Sequence, residues 1–65
     1  MKVSYKAARM NAGLSVNYVA ESIGVTSDTV YNWEKGKTSP NVRMLRALAE
    51  LYGCDIVDFK EVSGE

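Results

Sequence analysis

Few side chains in this sequence are equipped for covalent chemistry. There is no histidine, and Cys54 is the one cysteine. One thiol without imidazoles is too few ligands for a metal. No hydroxyl or thiol has a plausible base to activate it, so an enzyme is not expected, nor is a cofactor or a metal site. A lone cysteine makes no internal disulfide. Cys54 therefore fits a reducing compartment, the cytoplasm, and reads as a small apolar residue rather than a reactive thiol.

What remains is charge and hydrogen bonding. Eight cationic residues balance eight acidic ones, but unevenly along the chain. Residues 1–46 carry Lys2, Lys6, Arg9, Lys35, Lys37, Arg43 and Arg46 against Glu21, Asp28 and Glu34, a net of +4. Residues 47–65 carry Lys60 against Glu50, Asp55, Asp58, Glu61 and Glu65, a net of −4. A basic front and an acidic back steer one face toward a polyanion and repel the other, although a merely solubilising mixture would look similar.

The elements that must position these groups are short. A length of 65 residues suits one domain over 1–65, and a chain this small needs most of its elements to build one core. The N-terminal Met1–Lys6 stretch has no apolar run behind it of the kind a signal peptide needs. No segment approaches the ~20 apolar residues that span a bilayer, so no membrane partner is expected.

Apolar residues recur with helical rather than alternating spacing, which predicts an all-α fold of five short helices. The first follows the N-cap Ser4, runs to about Ala12, stops at Gly13 and turns Tyr5, Ala8 and Ala12 inward. The second follows Ser15 and runs to about Ile23, with Val19, Ala20 and Ile23 inside. The third starts after Thr26 and carries Val30 and Trp33. Pro40 and the cap Asn41 introduce a fourth, whose stripe is Leu45, Leu48, Ala49 and Tyr52. Asp55 caps a last turn with Ile56, Val57 and Phe59. The core spans about 5–59, and residues 61–65 are expected to fray. None of these helices is long enough to be stable alone in water, so their stripes must pack together. That makes a core rather than a pocket, and no small-molecule ligand is expected.

The most informative stretch is Val16 to Lys35. Two short helices meet at Gly24 with almost no linker, and a turn that sharp needs a residue tolerant of positive φ. Close crossing needs a small contact residue, which Ala20 supplies. Val19, Ile23, Val25, Val30 and Trp33 surround them in the inward positions of a helix-turn-helix, although an ordinary helical hairpin shares part of this pattern.

From about Tyr5 to Phe59 the sequence resembles the phage-repressor type of helix-turn-helix domain, the XRE or Cro/repressor group. The resemblance is carried by Ala12-Gly13-Leu14-Ser15, by Val19 to Thr26, by Thr29 to Pro40 and by Leu45 to Ala49. Its most specific piece is the Trp-Glu-x-Gly-x-x-x-Pro run at 33–40.

The resemblance implies a lambda-repressor-like domain whose third helix enters the DNA major groove. By position, Ser27, Asp28, Thr29 and Asn32 would then face base edges. Asn32 suits the paired N6 and N7 atoms of adenine, and the hydroxyls donate or accept. Asp28 has two readings: it accepts from cytosine N4, or it stabilises a helix first turn by about 0.3–1 kcal/mol.

The same resemblance places Ser15, Asn17, Tyr31, Lys35, Lys37, Thr38 and Arg43 against phosphates, and pairs Arg9 with Glu34 to hold the third helix. One departure stands out. The family usually has glutamine at the first position of helix 2, where this chain has Val16, so that phosphate contact, with some support for the base-reading residues, would be lost or shifted to Asn17.

The function implied is a transcriptional regulator, a repressor by first expectation and prokaryotic or phage-encoded, that binds double-stranded DNA as a homodimer on a near-palindromic operator. Its dimer surface is expected near Tyr52, Val57 and Phe59, although all three read equally as plain core, and Phe59 more readily as core. The rival is a module of the same fold that docks on another protein, as an antitoxin-type partner does; zero net charge, Asp28 and Val16 point that way.

Overall fold

The computed structural model of the protein describes residues 3–59, so the expected fraying of 61–65 lies outside the described residues. Four α-helices follow in order: α1 Tyr5–Asn11, α2 Val16–Ile23, α3 Ser27–Lys35 and α4 Val42–Tyr52. The fifth expected helix is a single 3₁₀ turn, Ile56–Asp58. Three residues are too few for an α-helical hydrogen-bond ladder, and the tighter 3₁₀ bond closes the turn instead.

The helix starts follow from local chemistry. The side chains of Ser4, Ser15, Thr26 and Asn41 accept the N–H groups of Ala7, Tyr18, Thr29 and Met44 at 2.8–3.3 Å. Each bond satisfies a donor that the first turn of a helix leaves without an intrahelical partner. Between α2 and α3 the chain reverses at Gly24, whose φ is +82°. A Cβ there would meet nothing within 4 Å, so conformation rather than space requires glycine. The Gly24 and Val25 N–H groups both return to the Ala20 carbonyl at 2.9 Å, and only Gly24, Val25 and Thr26 separate the two helices.

The core is built from Ala8, Val16, Val19, Ala20, Val30, Trp33, Leu48, Ala49, Tyr52 and Phe59. Val19, Val30 and Leu48 are sealed from solvent, each burial contributing about 1.5–3 kcal/mol. The α2–α3 pair packs more extensively than any other, and α4 closes the space beneath α2. Ala20 is buried at that crossing, where its small size permits close approach.

Several expectations from the sequence change here. Ala12 is exposed and caps the end of α1 rather than joining its inner face. Val16 is buried. Spaced at i, i+3 and i+4 with Val19 and Ala20, it extends the apolar stripe of α2 to the first residue. Tyr52 and Phe59, open to a core or a dimer-surface reading, are buried in the monomer; their rings stand edge to face with centroids 6.2 Å apart. The Tyr5 ring also lies against Phe59, with centroids 5.0 Å apart. These tilted aromatic contacts add to the apolar burial. Of the three dimer candidates only Val57 remains accessible, at 71% exposure.

One feature had no counterpart in the periodicity. Val3 pairs with Phe59 as an isolated parallel bridge, and the Val3 N–H donates to the Asp58 carbonyl at 2.8 Å. It ties the start of the described chain to the 3₁₀ turn and covers the aromatic cluster.

Candidate nucleic-acid interface

Helix α3 rests on the body by Val30 and Trp33. At 100° per residue those two define an inner face, and Asp28, Tyr31, Asn32 and Lys35 fall on the outer one. Asp28, Tyr31 and Lys35 are exposed and Asn32 is half-buried. Ser27 and Thr29, also half-buried, flank this outer strip on opposite sides. Nine residues give a rod about 14 Å long, and the B-DNA major groove is about 12 Å wide and admits such a helix.

The two flanking hydroxyls are held within the protein. Ser27 Oγ donates to Asn17 Oδ1 across the turn, linking the start of α3 to the first turn of α2. Thr29 Oγ1 lies 3.0 Å from the capping Thr26 Oγ1. Asn32 is fixed through its backbone: its carbonyl accepts the N–H of Lys37 at 2.9 Å, which folds the loop after α3 back on the helix. Lys37 and Thr38 stand exposed at that loop, and Arg43 is exposed on the first turn of α4. At the opposite end, the exposed Ser15 caps α2, and Asn17 is exposed two residues on, in the first turn. Of the expected phosphate residues, Asn17 is tied to the start of α3 through Ser27, and Lys37 and Thr38 to its last turn through the Asn32 carbonyl. Tyr31 and Lys35 lie on α3 itself, with Lys35 Nζ 6.0 Å from the Tyr31 ring centroid.

Arg9 and Glu34 meet as a bidentate pair. The Arg9 Nε–H donates to Glu34 Oε2 at 2.7 Å, and Nη2 donates to Oε1 at 3.3 Å. The remaining Nη1 donates to the Leu14 carbonyl at 3.0 Å, so one guanidinium joins α1, the loop before α2 and the last turn of α3. The side chains are only 12% and 6% exposed. Hydrogen bonding to Glu34 raises Arg9 above the ordinary arginine value, against the opposing effect of burial. The Tyr52 hydroxyl is buried with no hydrogen-bond partner among the described residues. Its pKa is pushed up to about 12, first by burial and then by the negative charge of Glu34.

Elsewhere, Cys54 is half-buried against the core, and burial pushes its thiol up, which favours the unreactive protonated form. Among the described residues no group of histidine, cysteine and acidic side chains is arranged to hold a metal, and no helix is long and apolar enough to cross a membrane.

A tight α2–α3 pair, docked on α1 and α4 and presenting a polar outer helix, defines a helix-turn-helix protein. A family model described as helix-turn-helix matches residues 6–59, and the chain belongs to that family, in its XRE-type branch. It is also 37% identical over 51 residues to a protein of Pyrobaculum aerophilum named as an HTH-type transcriptional regulatory protein. That match covers 78% of this chain and 20% of the relative, so the chain spans about one fifth of the relative's length. No solved structure matches the chain.

Proposed function

We propose that this protein is a transcriptional regulator that binds double-stranded DNA with the outer face of α3 in the major groove. The observation that carries the proposal is that strip itself. Asp28, Tyr31, Asn32 and Lys35 are turned away from a core that grips the helix by Val30 and Trp33. Asn32 reads adenine through its amide, and Ser27 and Thr29 read from the flanks. Asp28 accepts from a cytosine amine or simply stabilises the helix N-terminus. Ser15, Asn17, Tyr31, Lys35, Lys37, Thr38 and Arg43 hold phosphates, and the Arg9–Glu34 pair keeps α3 in place.

One short helix reads only a few base pairs. Binding as a homodimer to a near-palindromic operator doubles that readout, and a dimer across a promoter would exclude polymerase and so repress. A cytoplasmic location goes with this role. With Tyr52 and Phe59 in the core, Val57 is what remains of the expected dimer surface.

A protein-docking role for the same helix is favoured by one feature, the exposed carboxylate of Asp28 on the strip that would face phosphates. Salt separates the two readings. Duplex affinity should fall steeply and linearly in log–log form with salt, and Lys37→Ala should lower that slope by about one on any sequence. No retention of duplex in dilute buffer would reject DNA as the partner.

A further inference from the structure

Beside the outer face of α3 lies a cleft of about 440 Å³ between α1 and α3, lined by Lys6, Arg9, Tyr31, Glu34 and Lys35. Three cations and one carboxylate line it, and that carboxylate is neutralised by Arg9 at 2.7 and 3.3 Å. What the cleft offers a ligand is therefore the two exposed ammonium groups of Lys6 and Lys35 together with Tyr31. Neither lysine has an acidic partner within ion-pair distance among the described residues. Tyr31 and Lys35 belong at once to this cleft and to the outer strip of α3, so a polyanion running along that strip passes the cleft mouth.

We infer that this cleft binds a backbone phosphate of the DNA strand bordering the groove that holds α3, and that Lys6 is the residue of α1 that anchors it. The inference rests on the DNA-binding reading above and extends the contact surface to α1. The ligand chemistry is a phosphate oxyanion with hydrogen-bond acceptors on several sides. Two lysines supply charge without a fixed geometry, and the Tyr31 hydroxyl supplies a directional donor. The cleft is also wide enough to leave the phosphate partly hydrated. Glu34 makes no contact with the phosphate; its pairing with Arg9 offsets the repulsion that a free carboxylate would exert.

The test is fluorescence anisotropy of the full chain with a labelled random-sequence duplex across a salt series. It compares wild type with Lys6→Gln, Lys37→Ala and a control, Arg46→Gln. Arg46 is exposed and lies away from this cleft, beside Glu50 and Asp55. Lys6→Gln should lower the slope of log affinity against log salt by about one, and weaken specific and random duplexes by the same factor. The control should leave the slope unchanged. An unchanged slope in Lys6→Gln, while Lys37→Ala lowers it, would overturn the cleft and leave DNA binding standing. No duplex binding by wild type would overturn both. Inorganic phosphate at constant ionic strength distinguishes the sources. If it shifts the Lys6 amide resonance while Lys6→Gln leaves duplex binding intact, the cleft is a small-anion site and the inference fails.

Discussion

Glu34→Gln removes one charge from the junction of α1 and α3 while keeping shape and size. The partner it leaves, Arg9, is 12% exposed and keeps one protein acceptor, the Leu14 carbonyl at 3.0 Å. Breaking a fully buried pair costs about 3–5 kcal/mol, whereas an exposed pair contributes under about 1. Arg9 and Glu34 also line a cleft that opens to water, which screens the stranded charge and puts the expected loss near the lower bound, about 3 kcal/mol. At about 0.05–0.15 kcal/mol per residue, a domain this size has roughly 3–10 kcal/mol in total. The variant should therefore melt at least ~12 °C lower, or not fold at all. Urea and thermal unfolding followed by circular dichroism measure this directly. The double variant Arg9→Met with Glu34→Leu supplies the second arm. Replacing both charges by apolar groups of similar volume should recover most of the loss. A loss below about 1 kcal/mol in Glu34→Gln, or a double variant as unstable as the single one, would refute the reasoning, because the pair would then not be the buried clamp described.

Three other perturbations have defined outcomes. Ala20→Leu forces extra volume into the α2–α3 crossing, where Ala20 is 3% exposed, and should cost ~1–3 kcal/mol in urea unfolding. Tyr52→Phe deletes a buried hydroxyl without a partner among the described residues, so stability at neutral pH should hold or rise by about 1 kcal/mol. The same residue sets an alkaline limit. The fold raises its pKa from 10.0 to about 12, so its stabilisation is whole below pH 10 and is lost as pH climbs toward 12. The phenylalanine variant should show a shallower decline in that window by circular dichroism. Asn17→Ala releases the Ser27 hydroxyl and should weaken operator binding more than random-duplex binding, measured by anisotropy; equal losses would reduce Asn17 to a phosphate contact.

Much of this architecture was legible because its determinants are local. Ser4, Ser15, Thr26 and Asn41 each cap a helix through a residue three positions on, and such a bond is written in the sequence itself. The Gly24 turn and the Val19, Ala20, Val30 and Trp33 stripes are equally local. Arg9 and Glu34, 25 residues apart, came from the family resemblance rather than from spacing.

What escaped depends on tertiary context. Val16 sits at the first position of α2, where a side chain turns either toward the core or toward solvent. The resemblance drew attention to the glutamine it replaces, while its i, i+3, i+4 relation to Val19 and Ala20 already pointed inward. The Val3–Phe59 bridge is one residue pair at long separation and leaves no periodic trace. Tyr52 and Phe59 were open to two readings because a large aromatic side chain suits a core or an interface, and only their burial in the folded chain, against each other and against the Tyr5 ring, decides for the core.

The most direct test is selection from a random duplex pool followed by sequencing, performed with wild type and with Asn32→Ala. A near-palindromic site with half-sites about one helical turn apart should be enriched. In the variant, preference should relax at one adenine position per half-site, with a loss of about 1–3 kcal/mol on the wild-type site. Failure to enrich any sequence, or the same site preference with and without Asn32, would contradict the claim that the outer face of α3 reads DNA.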